Sequence, residues 1–173
     1  MAMGQKYDAD LDRYLKEYQS NPRSRIFAPL AEAYRKSGLV DEAIDICKEG
    51  LEYHPNFVSG MVALARCYFD KAQYTAAIKE LEKVVSDVPD NFLAQKLLAE
   101  SYSLIGDAQN ALKSYKMVLF LNPRDEEVKS IVAGMESNSN RPSSDTVAEI
   151  LGTDLAKEKQ EEIELPPLIT NDI

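Results

Sequence analysis

The sequence predicts an all-α fold, a solenoid of three stacked helical hairpins with flanking helices. Three observations predict it. Segments Ser24–Phe57, Val58–Asn91 and Phe92–Asp125 align without a gap, each 34 residues long. A fixed period in that range marks a repeat array. Within each segment a Leu and a Tyr stand four residues apart, which puts both on one helix face. A proline recurs near each segment's end, where a helix must stop.

Five columns are identical across the repeats. The seventh residue is Leu30, Leu64 or Leu98, the eighth Ala31, Ala65 or Ala99, and the eleventh Tyr34, Tyr68 or Tyr102. The twentieth is Ala43, Ala77 or Ala111, and the thirty-second Pro55, Pro89 or Pro123. Alanine at two columns lets helix backbones approach closely. Gly38 and Gly106 sit where the first helix of a hairpin must end, as a C′ glycine would. One hairpin leaves an apolar face bare, and stacking its neighbours covers it.

The flanks extend the pattern. Leu11, Tyr14, Leu15 and Tyr18 keep helical spacing, and Asn21-Pro22 echoes Asn122-Pro123. Residues 1–23 therefore read as a half-repeat whose helix, over 8–19, covers the open edge of the first repeat. Val128, Ile131, Val132 and Met135 mark a capping helix over 126–137. Residues 138–173 carry three basic and eight acidic side chains. This segment reads as an acidic, largely disordered tail, with a short helix over 146–160 as a second possibility. Thr146 and Glu149 suit a capping box, and Val147, Ile150, Leu151 and Leu155 share one face.

Composition excludes several function classes. The net charge of −9 opposes binding to nucleic acid or an anionic membrane surface. No apolar run approaches the roughly 20 residues of a membrane helix, so direct membrane insertion is not expected. The polar N-terminus lacks a signal core, which points to the cytoplasm. Cys47 and Cys67 make no disulfide framework. Neither cysteine has a basic partner implied by the sequence, and the single histidine, His54, reads as a solvated turn residue. No zinc spacing and no glycine-rich phosphate loop occurs, so no cofactor, metal or catalytic residue is expected.

The quoted columns resemble the tetratricopeptide repeat family. The first repeat reads Phe27, Leu30-Ala31, Tyr34, Ala43, Cys47 and Pro55 at that family's offsets. The likeness covers about 102 of 173 residues. It departs at the fourth position, which is Phe27, Met61 and then Gln95, implying looser packing in the third repeat. It departs again at the twenty-seventh, which is Gly50, Val84 and Val118 where Ala is usual.

The resemblance implies a right-handed α-solenoid and a non-enzymatic scaffold or adaptor. A peptide or helix of a partner would lie in the concave groove lined by the first helices. The family's groove positions fall on Arg25, Ala28, Glu32, Arg35 and Lys36 in the first repeat. They fall on Val62, Arg66, Phe69 and Asp70 in the second, and on Leu93, Lys96, Leu97, Glu100 and Leu104 in the third. Five basic residues against three acids make the groove mildly basic around an apolar floor. That suits a partner with apolar anchors and nearby acids, or the chain's own acidic tail. Phe69 and Leu97 are expected to be exposed there, while Leu93 and Leu104 divide between exposure and packing under the terminal helix. The family's clamp for a chaperone's terminal carboxylate maps to Ala28, Glu32, Ala63, Leu93 and Leu97, none of which fits it. A small secretion-type chaperone, and a structural subunit using its convex face or tail, remain as alternatives.

Overall fold

The computed structural model describes the backbone of residues 2–139 and the side chains of residues 10–137. The expectations for residues 138–173 as a tail, and for the helix over 146–160, lie outside the described residues.

Eight helices run through the described chain: α1 Ala2–Ser20, α2 Phe27–Lys36, α3 Val40–Tyr53, α4 Val58–Asp70, α5 Tyr74–Asp87, α6 Phe92–Leu104, α7 Ala108–Leu121 and α8 Glu126–Ser139. The hairpins are α2–α3, α4–α5 and α6–α7, and each second helix also packs on the next first helix. The first helices α2, α4 and α6 neighbour one another in turn. The result is the all-α solenoid that the period demanded. Helix α1 packs on α2 and starts at Ala2, earlier than the expected residue 8. Chain contacts divide the protein between Ala133 and Gly134, so α1 to α7 and the first half of α8 form one unit.

The alanine columns explain how the helices approach. Ala31, Ala65, Ala99, Ala43, Ala77 and Ala111 are all fully buried. A larger side chain at any of these points would hold two backbones apart in a close-packed interior. Leu30, Leu64 and Leu98 are buried beside them.

The first helix of each hairpin ends in a left-handed residue. Gly38 has φ +83° and Gly106 +81°, while the same column in the second repeat is Ala72 at +56°. The chain thus makes the same turn three times with glycine available twice. Among helices α2 to α7, side-chain caps appear at Asn91 for α6 and Asp107 for α7. Asp125 Oδ1 likewise accepts from Val128 N at the start of α8. On α8, Val128 and Val132 are buried.

The fourth column is packed differently in each repeat. Phe27 is fully buried and its ring lies over Gly50. Gln95 is also buried, and its Nε2 donates to the Pro89 carbonyl at 2.9 Å. A cavity of about 420 Å³ opens beside it, bordered by Leu98, Tyr102 and Met117. An amide occupies this site satisfied, yet fills less of it than a ring.

Candidate partner-binding groove

The face built by α2, α4 and α6 carries two joined depressions. The larger, about 470 Å³, is lined by Ala28, Pro29 and Glu32 of α2 and by Val58, Ser59, Val62, Ala63 and Arg66 of α4, with Phe57, Asn91 and Leu93. The second, about 350 Å³, is lined by Arg35, Arg66, Phe69, Asp70, Leu93, Lys96, Leu97 and Glu100. Arg66 and Leu93 border both, so the two form a continuous groove.

The structure brings most of the expected positions together here, but in different roles. Ala28 and Val62 are buried and form the floor. Leu97, expected to be exposed, is buried, with only 9% of its surface open. It lines the second depression beside Arg66 and Phe69, in a column where the preceding repeats carry Pro29 and Ala63. Phe69 is half-buried and meets Tyr74 edge-on, with ring centroids 5.3 Å apart. The apolar groups left open are Leu93 and Leu104, at 44% and 55% exposure. Leu104 and Lys36 lie outside both depressions, and so does Arg25, which precedes α2. Phe57, Val58 and Asn91 line the groove without having been expected to. Their signal was their place at the junction of successive repeats.

The expected basic excess is largely neutralised within the protein. Arg35 forks onto Glu32, with Nε to Oε2 at 3.0 Å and Nη2 to Oε1 at 2.9 Å. Its Nη1 reaches Asp70 Oδ2 at 2.5 Å. Arg66 Nη1 lies 3.0 Å from Glu32 Oε1, and Lys36 Nζ lies 3.7 Å from the same oxygen. Spacings of three and four along α2 set the first contacts, and repeat stacking supplies Arg66 and Asp70. Burial acts to raise the Glu32 carboxyl, but the Arg35 hydrogen bonds and the charges of Arg35, Arg66 and Lys36 hold it below its ordinary range. The Arg35 guanidinium is pushed up, chiefly by its hydrogen bond with Glu32. Further along, burial raises the Glu100 carboxyl; Lys96 opposes this in part and Glu127 adds to it.

His54, Cys47 and Cys67 each stand in a packed setting. His54 is not a solvated turn residue: its ring stacks on Phe27 at 6.2 Å and an interplanar angle of 10°. Its Nε2 donates to the Arg23 carbonyl at 2.7 Å, since a carbonyl can only accept. Cys47 and Cys67 are free thiols in one buried cluster with Ala31, Ala43 and Leu64. The hydrogen bond shared with Cys67, together with burial, pushes the Cys47 thiol up, away from the reactive thiolate. Among the described residues no cluster of three His, Cys, Asp or Glu suits a metal ion. Nor is any described helix long and apolar enough to cross a membrane.

A stack of helical hairpins with a grooved face defines a repeat-built α-solenoid, and comparison with known proteins agrees on the fold. A model described as tetratricopeptide repeat matches residues 34–100. The tetratricopeptide repeat protein 21 homolog of Caenorhabditis briggsae is 29% identical over 100 residues, which are 58% of this chain and 8% of that protein. The chain therefore spans under a tenth of that relative's length. A crystal structure of MamA superimposes with a TM-score of 0.70 at 18% identity, covering 96% of this chain and 92% of that one. The first repeat domain of Spaghetti (RPAP3), bound to the HSP90 peptide SRMEEVD, matches with a TM-score of 0.61 at 20% identity, covering 69% of this chain and 98% of that one. Residues 34–100 thus match the tetratricopeptide repeat family, and the fold of the described chain is the one its solved neighbours share.

Proposed function

We propose that this protein is a non-enzymatic scaffold or adaptor of the cytoplasm. It holds a peptide or helix of a partner protein in the groove between α2, α4 and α6. The observation that carries this reading is the continuous groove itself. Its floor is apolar, Leu93 stands 44% exposed beside it, and it spans all three repeats. An open Leu beside an apolar depression is the arrangement that anchors a partner's Leu or Phe. The test is capture of partner proteins by the wild type beside Leu93→Asp, with circular dichroism confirming that the variant folds. Leu93 is exposed, so the variant should keep its stability and lose its partner. A partner retained by Leu93→Asp refutes the groove.

A second reading has one observation in its favour. Phe120 on α7 is 78% exposed, where the same column holds Glu52 and Ser86. A bare ring on a second helix favours a structural subunit that joins a larger assembly through its outer face. Retention of the partner by Leu93→Asp and its loss in Phe120→Ser would establish this reading instead. The secretion-chaperone alternative and binding of the acidic tail gain no support from the described residues.

A further inference from the structure

The groove's central cations are already engaged. Arg35, Arg66 and Lys36 all face Glu32, and Arg35 also holds Asp70. Lys96 shares the wall of the second depression with Glu100. Two arginines outside this network are better placed to meet an acidic partner.

Arg23 and Arg25 lie in the turn between α1 and α2. Both are exposed, and among the described residues neither is paired with a carboxylate. The turn is pinned by Ser24 N donating to the Asn21 carbonyl at 3.0 Å and by His54 holding the Arg23 carbonyl. The Arg23 guanidinium stands 5.0 Å over the Tyr53 ring, and that of Arg25 stands 5.2 Å over Phe57. Such stacking orders a long side chain before any ligand arrives, which lowers the entropy cost of binding. Beside Arg25, and walled by the Tyr53 that Arg23 covers, lies a pocket of about 440 Å³ lined also by His54, Asn56 and Ser59, with no carboxylate on its wall. Phe57, Val58 and Ser59 border both this pocket and the larger groove depression, so the two adjoin.

We propose that this pocket is an anion subsite of the groove. Arg25, with Arg23 beside it, takes an Asp or Glu carboxylate of the bound peptide. The same peptide places an apolar side chain in the adjoining depression over Ala28 and Val62. This rests on the groove reading and adds a polarity to it: the acid lies at the α2 N-terminal end, not at the centre. A guanidinium offers two parallel donors to a carboxylate, so the pairing is specific as well as attractive. Because the pocket is open to solvent, the contact weakens with salt.

The experiment selects peptides from a random library on the full chain, then titrates the enriched peptides as fluorescein conjugates at low and high salt. The enriched sequences should carry Asp or Glu next to Leu, Phe or Met. The Arg23→Ala, Arg25→Ala double variant should bind them about 10-fold more weakly and lose most of the salt dependence. Arg25→Lys should fall between. Peptides with Asn or Gln in place of the acid should bind wild type and double variant alike. If the double variant binds the acidic peptides as tightly as wild type while Leu93→Asp does not, the subsite is refuted and the groove stands. If Leu93→Asp also binds unchanged, or no peptide is enriched, the groove reading fails and the subsite with it.

Discussion

Phe27 fills the space above Gly50 so completely that a Cβ built on the glycine would lie 2.1 Å from Cγ of the ring. The two belong to the columns where the repeats depart from the family's pattern. Phe27 stands with Gly50, Met61 with Val84, and Gln95 with Val118. A flat ring in the fourth column requires the absence of a side chain in the twenty-seventh. In open space Gly50→Ala would stabilise α3, because glycine in a helix costs about 0.5–1 kcal/mol. Here the added methyl meets the middle of a fully buried ring. We expect Gly50→Ala to destabilise the protein by about 1–3 kcal/mol in urea unfolding. Combining it with Phe27→Leu should cost less than the sum of the two single changes. A neutral Gly50→Ala would show that the ring has another place to go.

Ala72 is the one described non-glycine residue with positive φ, and it stands in the column of Gly38 and Gly106. Its backbone is held there by its own N–H donating to the Phe69 carbonyl at 2.9 Å, and by Gln73 N donating to the Tyr68 carbonyl at 2.9 Å. An L-residue in this region carries a strain of about 1–2 kcal/mol, set against the extra freedom that glycine gives the unfolded chain. Ala72→Gly should therefore stabilise by about 0.5–1 kcal/mol, read as a higher denaturation midpoint at unchanged slope. The side chain is exposed, so no packing is lost. A lower midpoint would mean that the turn carries no strain.

The architecture was legible because repetition averages over local ambiguity. Leu30, Ala31 and Tyr34 prove little alone, but each recurs twice at a fixed distance. The groove was legible in position rather than in character. Burial of Leu97 depends on how closely α4 and α6 cross, which the face pattern of α6 does not encode. The pairing of Glu32 with Arg35 and Lys36 could be read from spacing along one helix. That Arg66 and Asp70 complete the network depends on the stacking register between repeats. His54 looked like a solvated turn residue because its sequence neighbours are polar or proline, while the ring that holds it, Phe27, is two helices away, at the start of α2. Arg25 was placed in the groove by column, but α2 begins only at Phe27, so its side chain leaves the groove for the adjoining pocket.

The network centred on Glu32 gives the fold a pH dependence of definite sign. Its carboxyl is held below the ordinary value in the folded state, because Arg35, Arg66 and Lys36 outweigh the upward effect of burial. The unfolded chain therefore takes up a proton before the folded one does as pH falls. The stabilisation is complete above the ordinary carboxylate range and is lost as pH drops below about 4.5. Arg35 and Glu32 are only 14% and 21% exposed, so solvent screens this pairing less than an ordinary surface bridge. Glu32→Gln keeps the volume but removes the charge, leaving Arg66 without its carboxylate and Arg35 with Asp70 alone. We expect a loss of about 1–2 kcal/mol near neutral pH, measured by urea unfolding. The difference between variant and wild type should shrink as pH is lowered toward about 3, where protonated Glu32 resembles the amide. A deficit that stays constant with pH would assign the cost to packing of the amide and not to the charge of Glu32.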